Sequence, residues 1–474
     1  MPSFTPPSLT RRSSAVLGIL VSLALGEARA EDARLRALEQ RLHDLEHALA
    51  EARASAEQIR AAAHAVPTVP SVPKAPGPSS SLVKPTPDGG FALVDAERGN
   101  ELRFSAMVQL DSRLFLEGET ATGSKLEDGF LLRRIRPTLS GQFAGLGFRI
   151  APELSGNGTG ANVALLDAFV DIPTGRTGFL RVGKQKSAIS LDRLRVATAL
   201  PLVERGLANE LAPNRDLGLA WYGQAFSGGA QFVLGLFNGA ADGRDVALRD
   251  DGGKEVHARV FFEPFRNESS LLNGLGFGVS ATAGRKRSEG PGAAASASLP
   301  RYRSAAQEEF FAYSSGVVAD GHHRRLFPQL SYFHRNAGFV AELGVSEQVL
   351  QRESQTRRLR HTAYDVTLSW VPTGQPITFR GVQLTGSESA LELGLRASGL
   401  RIDPRAFEGG LTRFASPDVA ARRAQNLGLG LSWHVNRQVK WSLDVNRTRY
   451  QGGAPGGADR QTEDVVMGRF QLVY

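Results

Sequence analysis

The sequence predicts an all-β protein, a transmembrane antiparallel β-barrel of about 16 strands, preceded by an N-terminal α-helical coiled coil. Three observations carry that expectation. A secretory-type apolar run opens the chain, a heptad seam follows it, and from Glu101 to Tyr474 apolar and polar residues alternate with period 2.

The opening run, Ala15–Leu25, follows Arg11 and Arg12 and precedes Ala28-Arg29-Ala30. It is too short to span a bilayer, since a helix needs about 20 residues. Basic flank, short apolar stretch and small-x-small ending together describe a signal peptide over 1–30, cut after Ala30. Residues 31–63 lack Pro and Gly, and Leu35, Leu38, Leu42, Leu45, Leu49, Ala52, Ala56 and Ile59 fall at alternating spacings of 3 and 4. So narrow an apolar seam cannot be buried by one helix alone, which predicts an oligomeric coiled coil, on the periplasmic side. Residues 64–98 are dense in proline and read as a semi-rigid extended tether. The domain expected beyond it covers 99–474.

In that domain Leu102, Phe104, Ala106, Val108, Leu110, Leu114 and Leu116 share one strand face, opposite Arg103, Ser105, Gln109, Asp111, Arg113 and Glu117. The pattern recurs in Val256–Phe262, in Leu427–Val435 and in the final run ending at Tyr474. Soluble strands are typically about 5–6 residues long. These segments are longer and suit the roughly 9–11 residues that cross a bilayer at a tilt. Their polar face is rich in arginine, which fits a wet lumen, and short connections alternate with long ones.

Charge supports the same division. The chain has 474 residues, with 56 Lys and Arg against 48 Asp and Glu. The formal excess of +8 lies entirely beyond residue 100. The absence of cysteine removes disulfides, thiol nucleophiles and thiolate metal sites. His-Glu-x-x-His, Gly-x-Ser-x-Gly and Walker motifs are missing, so no enzymatic chemistry and no cofactor are expected. Gly156-Asn157-Gly158-Thr159-Gly160 joins two period-2 segments and reads as a turn, and His322-His323 as part of a surface loop. Nucleic-acid binding is not expected, because the arginines share strand faces with Asp and Gln and no aromatic stacking platform accompanies them.

Candidate pore-lining residues are Arg113, Arg134, Arg136, Arg149, Arg181, Arg259 and Arg396, each on the polar parity of its strand; Arg335 shares that parity. Guanidinium groups stay charged and hold phosphate or carboxylate with two bonds, and rings of them favour anions. Asp111, Glu153, Asp167, Asp171, Glu263, Glu342 and Glu392 lie on the same face, so about half of the arginines are expected to pair across the lumen instead. The long connection 184–215 is the candidate constriction, with Lys184, Lys186, Arg193, Arg195, Arg205 and Arg215 as candidate anion-binding residues.

Around that loop the sequence resembles the phosphate-selective porin O/P family. The stretches that carry the likeness are Arg181-Val182-Gly183-Lys184-Gln185-Lys186, Leu191-Asp192-Arg193-Leu194, Val203-Glu204-Arg205 and Leu211-Ala212-Pro213-Asn214-Arg215-Asp216-Leu217-Gly218. Leu132-Arg133-Arg134-Ile135-Arg136-Pro137 and Gly235-Leu236-Phe237-Asn238-Gly239 add to it. The resemblance implies a trimer of 16-stranded barrels in the outer membrane, whose third extracellular loop folds into the pore with Lys184, Lys186 and Arg193 at its basic positions. Gln185, Ala188 and Ser190 depart from the family pattern. The expectation is a passive channel for small hydrophilic solutes, with preference for anions such as phosphate, held as a homotrimer among outer-membrane lipids. The alternatives are a weakly selective general or sugar-type porin, and a structural envelope protein with a plugged barrel.

Overall fold

Period-2 alternation becomes a closed wall in the computed structural model of the chain, which describes residues 83–86, 89–155, 163–246, 253–266, 268–288 and 299–474, together with position 40. The expected signal peptide, the heptad helix apart from position 40, most of the Pro-rich tether and the 156–160 turn lie outside the described residues.

Sixteen strands make the wall. They are β1 (Asn100–Glu117), β2 (Gly129–Phe143), β3 (Leu146–Glu153), β4 (Ala164–Pro173), β5 (Gly178–Lys186), β6 (Arg215–Ala225), β7 (Ala230–Phe237) and β8 (Glu255–Phe262), then β9 (Leu275–Arg287), β10 (Val317–His334), β11 (Ala337–Arg352), β12 (Gln355–Trp370), β13 (Ala390–Arg401), β14 (Ala421–His434), β15 (Val439–Gly452) and β16 (Glu463–Val473). Each pairs antiparallel with the next, and β16 closes on β1 from Met107↔Val473 to Glu117↔Asp464. Closure leaves no row of unpaired backbone groups facing lipid, which is why sheets span membranes only as barrels.

β1 is 18 residues long because it serves two partners on one side. Its second half holds β16; its first half pairs with Phe91–Asp95, which in turn pairs with Val83–Pro85. This small hairpin falls inside the segment read as tether. Gly90, at φ +85°, must be glycine there: a Cβ would sit 2.1 Å from the Phe104 carbonyl oxygen.

Connections at the end bearing the start of β1 are mostly tight. Ala144-Gly145, both at positive φ, make a two-residue hairpin between β2 and β3. Arg335 and Asn336 make another between β10 and β11, so Arg335 occupies a turn rather than a lumen position. The long connections 187–214, 288–316 and 402–420 all lie at the opposite end. His322 and His323 also differ from expectation. Both belong to β10, where His323 is buried and hydrogen-bonded to Ser346 (3.0 Å), because Val317–His334 runs as one continuous strand.

Outward faces carry exposed Leu, Val and Ile, and at the tight-turn end Trp433, Trp441 and Phe470 stand opposite one another on β14, β15 and β16. Trp441 and Phe470 have ring centroids 4.8 Å apart. Amphipathic aromatic girdles of this kind sit at the membrane–water boundary. The wall is uneven in height: β3 to β8 have 8, 10, 9, 11, 8 and 8 residues, whereas β9 to β12 have 13, 18, 16 and 16. The largest apolar cluster lies among the long loops, where Leu207, Leu211, Tyr302, Phe310, Phe311 and Phe414 pack together.

Leu429 lies midway along the outward face of β14, between Leu395 of β13 and Val445 of β15. Leu429→Arg is expected to cost about 2–4 kcal/mol, the penalty for a cation at the bilayer midplane. Urea unfolding in lipid vesicles measures it; an unchanged midpoint would mean this face does not meet lipid.

Candidate functional site

Beyond Lys186 the chain leaves the wall and crosses the lumen. Residues 187–214 reach the inner faces of β11 to β16 and return to Arg215 at the start of β6. A short helix, α1 (Leu191–Leu194), begins the crossing. Ser190 caps it, accepting a hydrogen bond from the Arg193 amide. Glu342 of β11 accepts from Ser190 Oγ (2.7 Å) and from the Leu191 amide (2.6 Å), so one buried carboxylate ties cap and helix to the far wall.

Pro201 and Leu202 then settle on a strip of glycines facing inward from β13 and β14. A Cβ on Gly428 would lie 2.7 Å from Leu202, one on Gly394 3.0 Å from Leu202, and one on Gly430 3.1 Å from the Pro201 carbonyl oxygen. These glycines have ordinary strand conformations, and their lack of a side chain makes the seat. Polar bonds fix the segment around it. The Val203 amide donates to Asp444 (2.8 Å), Lys440 Nζ donates to the Leu200 carbonyl (2.7 Å), Arg469 donates to the Val203 carbonyl, and Arg396 to the Glu204 carbonyl.

Glu204 ends this docked segment amid three guanidiniums: Arg133 at 2.6 Å, Arg469 at 3.0 Å and Arg134 at 3.9 Å. Arg469 is also held by both oxygens of Asp111, at 2.6 and 2.7 Å. Removing one member of a buried pair typically costs about 3–5 kcal/mol, because a charge is left unpaired. The loop is therefore pinned by charge as well as by shape.

A cavity of about 470 Å³ remains between the loop and the wall. Its cationic lining is Arg133, Arg134 and Arg136 from β2, Lys186 and Arg215 from the ends of β5 and β6, Arg193 and Arg205 from the loop, and Arg244, Arg301 and Arg303 from two further connections. Only Glu204, Glu210 and Asp245 oppose them as carboxylates there. Burial brings the Arg193 guanidinium down to about 10, which leaves it cationic at neutral pH. Burial raises Glu210 above the ordinary carboxylate range, with Arg193 acting against that shift. Among the described residues, no cluster of three or more His, Asp or Glu is arranged to hold a metal ion.

The structure distributes all the candidate residues but Arg113 and Lys184 over three regions. Lys186, Arg193, Arg205, Arg215, Arg134 and Arg136 meet at the cavity. Arg149 and Arg181 line a second space of about 510 Å³ toward the tight-turn end, where Arg181 is held by Asp171 (2.6 and 2.7 Å) and stacks on Phe169, and Arg149 lies 3.4 Å from Asp167. Arg195, Arg259 and Arg396 brace the loop and the wall around it. Arg195 donates to the Ala199 carbonyl (2.7 Å), Arg259 to Gln329 (3.3 Å), and Arg396 lies 3.7 Å from Asp365. Arg113 is half-buried on the inner face of β1 opposite Met467, outside the cavity lining. Lys184 stands opposite Leu217, which is exposed on the outer surface, and does not line the cavity.

Two departures from strict alternation explain the differences. In β2, Gln109 pairs with Arg134 and Leu110 with Leu132, so Arg133 is the extra residue of a β-bulge. Both arginines are buried and both line the cavity. Two successive Arg before an apolar residue was the available signal, since regular pleating would leave one of them in lipid. At the end of β5, Gln185 and Lys186 both turn inward, Gln185 accepting from the Tyr222 hydroxyl (2.8 Å). Arg244, Arg301 and Arg303 come from connections whose course is set by tertiary anchors: Asp242 is gripped by Arg325 (2.6 Å), Ser346 (2.6 Å) and Tyr302 (3.1 Å).

Residues 107–474 match the family model described as phosphate-selective porin O and P. No curated protein matches the chain. Among solved structures, the outer membrane channel DcaP of Acinetobacter baumannii is similar with a TM-score of 0.51 at 9% identity, over 80% of this chain and 99% of that one. The anion-selective porin from Comamonas acidovorans is similar at 0.48 and 12% identity, over 79% and 100%. OprB of Pseudomonas putida is similar at 0.48 and 11%, over 80% and 95%.

Gly428→Val places methyl groups where Leu202 sits, an overpacking worth about 1–3 kcal/mol. The loop is expected to lift from its seat, raising single-channel conductance and exposing Arg193, Arg195 and Arg205 to trypsin. Wild-type conductance with wild-type protease resistance would mean that the glycine strip does not position the loop.

Proposed function

The chain belongs to the phosphate-selective porin O and P family, an outer-membrane channel by family and fold, and from that premise we propose that it passes small anions such as phosphate in preference to cations. One observation carries the reading: ten Arg and Lys side chains line the space beside the inserted loop, and not all of them are neutralised. Arg133, Arg136, Arg205, Arg215 and Arg301 are paired with Glu204, Glu153, Asp192, Asp167 and Glu309, but Lys186, Arg193 and Arg303 have no ion-pair partner among the described residues. Two unit charges 4 Å apart interact by about 1 kcal/mol in bulk water and about 4 kcal/mol at an effective dielectric of 20. A few unneutralised guanidiniums at a narrowing therefore separate anions from cations by more than tenfold. Transport is passive, since solutes move by diffusion through the lumen.

The assembly we propose is a homotrimer. The low wall from β3 to β8 supports it, because 8-residue strands fall short of the roughly 9–11 needed to cross a bilayer. Covering that wall with a second copy removes the mismatch. Residues 31–63 form the periplasmic coiled coil in this reading, joined through the tether to the end of the barrel where β1 starts.

A second reading rests on pairing. Arg133 with Glu204, Arg136 with Glu153, Arg149 with Asp167, Arg181 with Asp171 and Arg469 with Asp111 neutralise much of the lumen wall, as in a weakly selective general or sugar-type porin.

The zero-current potential of the purified protein in a planar bilayer under a salt gradient, with phosphate added, separates the two. Anion preference with chloride current blocked by phosphate is expected; weak selectivity without block favours the general porin. Among the described residues Lys186 bonds only to the Arg195 carbonyl (3.3 Å), so Lys186→Gln combined with Arg303→Gln should cut the anion-to-cation permeability ratio several-fold without unseating the loop. Lys184→Gln should leave it unchanged.

pH supplies a further test. With its pKa raised, Glu210 takes up a proton before ordinary carboxylates as pH falls. Anion preference should therefore rise on acidification from neutral pH, and Glu210→Gln should abolish most of that rise. An identical pH profile in the variant would mean that Glu210 does not face the permeating ion.

A further inference from the structure

The outer surface is divided in charge as well as in height. On the tall wall, six outward apolar columns end toward the long loops in arginine: Arg285 on β9, Arg324 on β10, Arg360 on β12, Arg401 on β13, Arg423 on β14 and Arg449 on β15, while β11 and β16 carry Glu347 and Asp464 at that level. All are exposed except half-buried Arg423, and none of the six forms a side-chain hydrogen bond or ion pair among the described residues. Three further outward arginines are already matched, Arg447 by Asp464 (2.6 and 2.7 Å), Arg358 by Glu347 (3.7 Å) and Arg287 by Asp320 (3.7 Å). The low wall lacks this feature. Its outward columns end in Ile150, Leu165, Leu217, Leu236 and Val256, and the cations beside them among the described residues are Lys184 and Lys254 rather than arginines.

Register sharpens the point. Arg401 stands directly opposite Arg423, flanked by Thr362 on β12 and Gln451 on β15, and Arg449 lies one outward position below, opposite Gln425. Like charges directly opposite across strands are destabilising. Glu347 of β11 stands in register between Arg324 and Arg360, and Asp464 of β16 acts on Arg449. No carboxylate stands in register beside Arg401 and Arg423, so that pair is the part of the belt left to a charge from outside the chain. The apolar side chains directly below the patch, Leu427, Leu429 and Leu395, place it at the edge of the lipid band.

We propose that this belt docks the phosphate groups of an anionic, phosphorylated glycolipid in the leaflet on the long-loop side, with its acyl chains lying along the apolar columns beneath. Guanidiniums suit that partner because they hold phosphate with two bonds. The low wall, without a belt, is left for contact with other copies of the chain. The belt faces away from the lumen, so its chemistry is separable from conduction.

The test is binding of bisphosphorylated lipid A to the full-length purified protein in detergent, measured by native mass spectrometry and titration. Dephosphorylated lipid A and phosphatidylglycerol serve as competitors. At roughly 1 kcal/mol per basic residue near an anionic surface, Arg401→Gln, Arg423→Gln and Arg449→Gln together should weaken lipid A binding by at least about tenfold. Single-channel conductance and ion selectivity should stay at wild-type values, which also reports correct folding. On wild-type protein alone, removal of the lipid phosphates should weaken binding to a similar degree. Equal affinity for lipid A and its dephosphorylated form would overturn the proposal, as would unchanged binding by a conducting triple variant. Phosphatidylglycerol held as tightly as lipid A would overturn the assignment to a glycolipid.

Discussion

A strand in a bilayer has no water to satisfy its backbone, and each unpaired N–H or C=O there costs several kcal/mol. The pairing of β16 with β1 meets that demand, and the rest of the molecule follows from it. Closure makes an inside and an outside on every strand and turns a sequence of alternating polarity into two chemically distinct surfaces. It also produces a lumen wide enough to admit water, and with it the problem of what narrows that lumen.

The narrowing is a loop held by the wall it crosses. Glycines at 394, 428 and 430 supply the space for Pro201 and Leu202, and Glu342, Asp444, Arg396, Lys440 and Arg469 supply the bonds. Many of the arginines that alternation sends inward are spent on this anchoring. Arg396 and Arg469 are almost fully buried against loop carbonyls, and Arg195 is buried within the loop itself. The charge left at the cavity comes from the opposite side, where β2, the ends of β5 and β6, and two loops converge. One set of side chains fixes the obstruction, and another faces the space it leaves.

The outer surface shows a comparable division of labour. Tryptophans mark the tight-turn boundary and arginines the long-loop boundary, the latter only where the wall is tall. A surface that meets lipid needs both boundaries matched to headgroups; a surface that meets protein does not. Height and basic belt thus vary together around the circumference, while exposed aromatics such as Trp221 and Phe226 mark the tight-turn end of the low wall as well.

Much of this architecture was legible in the sequence, because the period of 2 is a local property: neighbouring residues in a strand must point to opposite sides whatever the partner strand is. The barrel class, the number of strands within one and the inward parity of Arg134, Arg136, Arg181 and Arg396 follow from it, whereas the loop 184–215 is marked as a candidate constriction by its length, its basic residues and the family resemblance. The same rule misplaced what breaks alternation. The bulge that turns Arg133 inward beside Arg134 depends on register with β1, and the inward turn of Lys186 on how β5 leaves the sheet. Sequence by itself determined which residues are able to line a lumen. Which of them face open space, and which are consumed in holding the loop, only tertiary structure decided, because that depends on charges and small side chains brought together from strands hundreds of residues apart.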